Sequence, residues 1–154
     1  MLVDDTVKVL NGLIQTSEDG KKGFADAARE ATKPELKTMF RRRSADCETA
    51  VMELQQLVQS LGGTPKDSGT VAETAHRGWA RMKTMIGDAN LTMLEDVERA
   101  EDKAKAAYVQ ALTTKMSQQI RSVVKRQHDG AVHNHDLMRY LRNSYQATKQ
   151  AVTS

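Results

Sequence analysis

Apolar residues recur along this chain at the three- and four-residue spacing of an α-helical stripe, and nowhere show the two-residue alternation of a strand. The first inward face is Val7, Leu10, Leu13, Ile14, Ser17, Lys21, Phe24, Ala28 and Ala31. It predicts a helix from Asp4 or Asp5, either suited to an N-cap, to Ala31. Ser17 and Lys21 put polar groups on its middle, and Gly12, Gly20 and Gly23 lower its intrinsic propensity, so this helix depends on packing. Thr32-Lys33-Pro34-Glu35 reads as a stop and restart, with Thr32 as a cap and Pro34 in the new first turn. A second helix then runs to about Leu61 through Leu36, Phe40, Arg43, Cys47, Val51, Leu54 and Val58. So short a link makes the two an antiparallel hairpin.

Gly62-Gly63-Thr64-Pro65 ends the second helix, and a shorter one is expected from about Thr70 to Ile86, carrying Val71, Ala75, Trp79 and Met82. After Gly87–Asn90 comes a third long helix, Leu91–Leu112, with Leu94, Val97, Ala104, Tyr108, Ala111 and Leu112 on its stripe. Ser117 caps a last long helix, about Gln118 to Gln146, and Ala147–Ser154 is expected to be a flexible tail. Four long helices with a shorter one between the second and third form the pattern of an all-α bundle with a crossover, one domain over 1–146. The shorter helix spans roughly 25 Å, enough to carry the chain most of the way from one end to the other.

Glu101 sits in the middle of the third stripe, where a core residue belongs. Arg43 holds the matching position on the second helix, nine residues beyond Pro34. If the crossover returns the chain to the Pro34 end, Glu101 falls within roughly 3 Å of Arg43's level. Gln127 and Lys21 come to nearly the same height. A buried polar layer of Lys21, Arg43, Glu101 and Gln127 follows, with Arg43–Glu101 as its ion pair. Two alternatives stand beside it: a local pair of Glu101 with Lys105 one turn on, and Glu101 as a metal ligand.

Composition narrows the chemistry. Aromatic residues are only 4% and Met numbers 8, which favours helices packed through flexible side chains over a β-sandwich. The net charge of +3 is spread along every segment rather than gathered on one face, so nucleic acid is not expected as a partner. The single Cys47 excludes an intramolecular disulfide and suits a reducing compartment, and no apolar run reaches membrane length. The expected location is the cytoplasm, with no membrane association.

The segments LNGLIQTSEDGKKGF, LGGTPKDSG, AHRGW and LEDVERAEDKAKAAYVQAL resemble, over about Thr6 to Leu141, a bacterial family of ferritin-like four-helix-bundle domains of unknown function. The resemblance implies a ferritin-like bundle and no activity. The wider ferritin-like group invites a di-metal carboxylate centre, which needs a Glu on each of two helices and an inward Glu-x-x-His on each of the other two. Here the second helix offers Glu48-Thr-Ala-Val51, the last helix has no Glu, and the lone Glu-x-x-His is Glu73-Thr-Ala-His76 on the crossover. A degenerate site would draw on Glu18, Glu98, Glu101 and His135 and take iron, manganese or zinc.

The remaining features are weaker. His128, Asp129, His133, His135 and Asp136 crowd the last helix, but helical geometry scatters them over different faces. His76-Arg77-Gly78-Trp79 reads as an anchor of the crossover. Arg41 and Arg42 face water while Arg43 turns inward, and Cys47 lies on the inward stripe as an inert core residue. Nucleophile arrangements and phosphate loops are absent from the sequence. The expectation is therefore a non-catalytic helical bundle without a cofactor, acting through a protein partner or as a homo-oligomer. The alternative is the degenerate metal-binding bundle.

Overall fold

A computed structural model describes residues 2–66 and 89–153. Their secondary structure is helical: α1 (Leu2–Glu30), α2 (Pro34–Ser60), α3 (Ala89–Leu112) and α4 (Gln118–Thr153). Among the described residues, the apolar stripes read from the sequence become the buried faces. Pro34 opens α2, where a missing N–H costs no helical bond. At the other end Gly62 takes φ 78°, and the N–H groups of Gly62 and Gly63 reach back to the carbonyls of Gln59 and Val58. This is a Schellman turn, in which the positive φ suits glycine. Gly63 lies so close to Val7 that a Cβ there would come within 2.8 Å of its side chain.

Basic side chains close two other helix ends. Lys37 Nζ donates to the carbonyls of Ala28 and Arg29, and Arg121 donates to those of Leu112 and Thr114. Ser117 Oγ accepts from the Ile120 N–H, the cap expected for α4. Thr32 does not cap α2. The N-cap is Lys33, without a side-chain cap bond, and Thr32 instead exchanges two hydrogen bonds with the Asn90 side chain.

That exchange fixes the topology. It joins the α1–α2 turn to the first residues of α3, while Thr6 Oγ1 donates to the Lys115 carbonyl at the opposite end. So α3 runs antiparallel to α1. The Lys66 N–H donates to Asn11 Oδ1 at 2.8 Å, so the chain passes Lys66 near the start of α1. It returns near the end of α1, about 30 Å away along the axis. The shorter helix expected over 70–86, with Glu73, His76 and Trp79, lies outside the described residues.

The α1–α2 and α3–α4 hairpins are the closely packed pairs; α1 also faces α3, and α2 meets α4 more sparingly. Helix α4 continues to Thr153, past the end expected at Gln146.

The core is two apolar clusters with a gap between them. One gathers Phe24, Leu36, Phe40, Leu94, Val97 and Met138 near the α1–α2 turn. The other gathers Leu10, Ile14, Leu54, Val58, Ile120 and Val124 toward the start of α1. Between them, at Ser17–Lys21, Arg43–Ala50, Glu98–Lys105 and Gln127–His135, the bundle turns polar. Gly20 brings α1 against α2 there, since a Cβ on it would sit 2.9 Å from Cys47 Sγ. No helix among the described residues is long and apolar enough to cross a membrane.

Candidate functional site

The layer is built around Glu101, which is 2% exposed. Arg43 reaches it from α2 with two bonds: Nε donates to Oε1 at 2.8 Å and Nη2 to Oε2 at 3.3 Å. Two parallel donors matched to two carboxylate oxygens make the stronger class of ion pair. The Arg43 side chain is 12% exposed, and its guanidinium lies 5.7 Å from the centre of the Phe24 ring. Burial pushes the Glu101 carboxyl above its ordinary range, and the Arg43 charge only partly offsets that cost. Burial likewise works against the Arg43 charge, yet the electrostatic pull of Cys47 and Glu101 holds it above its ordinary value. The buried Cys47 thiol is pushed up to about 12 by its burial.

Toward the second cluster the layer continues as neutral hydrogen bonds. Tyr108 donates to Gln127 Oε1 at 2.8 Å, which leaves Ser17 to donate to the Tyr108 oxygen at 3.4 Å. Burial pushes the Tyr108 phenol up to about 12, so it remains a donor at neutral pH. Gln127 Nε2 donates onward to Glu53 at 3.1 Å, and Arg126 Nη2 donates to Glu53 Oε2 at 2.6 Å. Lys21 is not a member. It turns outward, 3.9 Å from Glu48, and only its carbonyl serves the layer, accepting from Ser44 Oγ at 2.8 Å. A lysine head moves to water when its stem can cover the apolar edge, which the sequence spacing does not encode.

A cavity of ≈ 370 Å³ opens beside the ion pair, with walls that include Ser17, Arg43, Glu101, Tyr108, Gln127 and Asn134. Asp19, Asp46 and Glu53 also line it, as do Lys103 and Arg126, so it favours neither sign of ligand.

Of the other residues singled out in the sequence, Glu18, Glu98 and His135 are all buried. The structure brings Glu98 and His135 together, with Nε2 of the imidazole 3.7 Å from Glu98 Oε2. It adds Asp102, whose Oδ1 is 2.8 Å from the same Nε2. These three form the potential metal-donor group among the described residues, and neither Glu18 nor Glu101 belongs to it. Arginines crowd Glu98: Arg139 Nε donates to Oε2 at 3.3 Å, and Arg142 Nη1 lies 2.6 Å from Oε1, off the direction of a hydrogen bond. Sequence reasoning missed Asp102 because it lies half in water on the outer side of α3. The available signal was its i, i+4 spacing from Glu98. His128 pairs weakly with Asp129 and stands apart from this group, while His133 faces water.

Compared with known proteins, residues 5–115 match the family model described as "Domain of unknown function (DUF2383)". No curated protein matches the chain.

Proposed function

The chain belongs to the DUF2383 family of domains of unknown function, and from that premise we infer a non-catalytic, ferritin-like helical bundle acting through protein interaction or self-association. The observation that carries the reading is the two-bond contact of Arg43 with Glu101. In a di-metal bundle the centre must present carboxylates and imidazoles from all four helices to two cations. Here a guanidinium already occupies both oxygens of the central carboxylate, and a cation in that place would meet like charge in a buried setting. The residues present do not fit a two-cation centre, so no oxidase step is assigned to the axis. What the layer does instead is fix helix register: only one vertical alignment of α2 against α3 lets Arg43 and Glu101 meet. The ferritin-like part of the reading is supported by the re-entry of α3 beside the α1–α2 turn.

Two measurements test it together. Oxidation of ferrous iron by the purified chain should run no faster than in buffer. A saturable oxidation abolished by Glu101→Gln would overturn the non-catalytic reading. Sedimentation velocity across a wide concentration range should reveal reversible association. A chain that stays monomeric throughout and captures no partner protein would overturn the interaction half.

A further inference from the structure

The seam between α3 and α4 carries a donor set separate from the bundle axis. Glu98 and Asp102 stand one helical turn apart on α3, and His135 meets them from α4. His135 Nε2 lies 3.7 Å from Glu98 Oε2 and 2.8 Å from Asp102 Oδ1, in the range of neighbouring donors around a single ion with bonds of about 2.0–2.2 Å. The His135 ring is 1% exposed and lies along α4 between the buried Ala131 and Met138, so the donor is already held in place.

The second nitrogen of His135 supplies an independent indication. Nδ1 lies 3.2 Å from Asp136 Oδ1, the carboxylate–imidazole arrangement that fixes the tautomer of a metal-bound histidine. With Nδ1–H directed at Asp136, the Nε2 lone pair faces Glu98 and Asp102. Basic side chains border the same donors. Arg139 Nη2 is 3.4 Å from Nε2, and Lys105 Nζ is 3.4 Å from Nδ1 and 3.7 Å from Asp102.

We propose that Glu98, Asp102 and His135 bind one divalent first-row transition metal ion, of the zinc or manganese class, with water completing its coordination. A divalent ion would take the place of the Arg139 guanidinium beside His135 Nε2. Arg139 is 54% exposed and free to swing into solvent, and Asp102 is 53% exposed, which leaves the ion a path from water. Arg142 stays on the far oxygen of Glu98 and steadies it. One nitrogen and two carboxylate oxygens suit zinc, manganese or ferrous iron, and not a thiolate-selected ion. This site lies outside the Arg43–Glu101 pair and does not depend on the reading of the axis.

The test is zinc binding to the full chain by calorimetry after dialysis against chelator, with helicity followed by circular dichroism. One zinc ion per chain is expected. Asp102→Asn should weaken it about tenfold or more at unchanged helicity, and His135→Gln should do the same. Arg139→Ala should leave binding equal or tighter, because it removes the competing cation. His133→Ala controls for adventitious zinc on the exposed imidazole of α4 and should have no effect. Because Asp102 is half exposed, its variant keeps the test valid even if His135→Gln does not fold. No zinc binding to the parent chain, binding indifferent to Asp102→Asn, or binding lost only in His133→Ala would each overturn the proposal.

Discussion

Replacing Glu101 with Gln keeps the side chain's shape and one acceptor for Arg43 while removing its charge. Arg43 is then left as a cation enclosed by Phe24, Cys47 and the helix backbones, with one neutral partner in place of a carboxylate. Removing one partner of a buried pair destabilises by about 3–5 kcal/mol, because the remaining charge is no longer compensated. Arg43 borders the cavity and keeps some access to water, so the expected cost is at the lower end, roughly 3 kcal/mol. For a chain of this size that lowers the melting temperature by roughly 6–12 °C. The assay is urea unfolding at neutral pH, followed by circular dichroism, of the parent, Glu101→Gln, Arg43→Gln and the double variant. The double variant carries no buried charge at this site, so its loss should fall short of the sum of the two single losses by roughly 2–3 kcal/mol. A Glu101→Gln variant within about 0.5 kcal/mol of the parent, with strictly additive effects, would refute the reasoning and leave the contact energetically idle.

Three further outcomes follow from the same geometry. Gly12→Ala, where a new Cβ meets nothing within 4 Å, should stabilise by roughly 0.5–1 kcal/mol, whereas Gly20→Ala, 2.9 Å from Cys47 Sγ, should lose that gain and destabilise, both read by urea unfolding. Glu53 is held below its ordinary 4.5 first by the hydrogen bond from Arg126, so it contributes stability that is present above 4.5 and lost as pH falls through its folded value. Arg126→Gln should therefore move the Glu53 titration upward by NMR, and an unchanged titration would remove that pair from the account. The Cys47 thiol, buried and pushed up to about 12, should react with a soluble disulfide reagent only as fast as the protein opens. Rapid labelling without unfolding would contradict its place in the core.

The stripes made the four long helices and their order legible, and counting heights from Pro34 was enough to pair Arg43 with Glu101 across 58 residues of sequence. That calculation worked because rise per residue is nearly constant in a helix. What it could not give is how far each neighbour covers a position at the stripe's edge. Glu98 is not on the apolar stripe read for the third helix, yet α4 closes over it and Arg139 and Arg142 neutralise it. Lys21 was central by angle, yet its length lets the ammonium reach Glu48 outside. Thr32 had the chemistry of a cap, but Asn90, distant in sequence, competes for the same hydroxyl. The end of α4 was missed for a local reason. Residues after Gln146 carry no apolar stripe, but Ala, Lys and Gln are good helix formers and extend the helix.

The central claim is that ion pairing, not a pair of metal ions, occupies the middle of the bundle. Native mass spectrometry of untagged protein, purified without chelator and compared with Glu101→Gln, tests it most directly. The account predicts at most one cation per chain, at a level the Glu101→Gln variant does not change. Two cations per parent chain, both lost in Glu101→Gln, would contradict it.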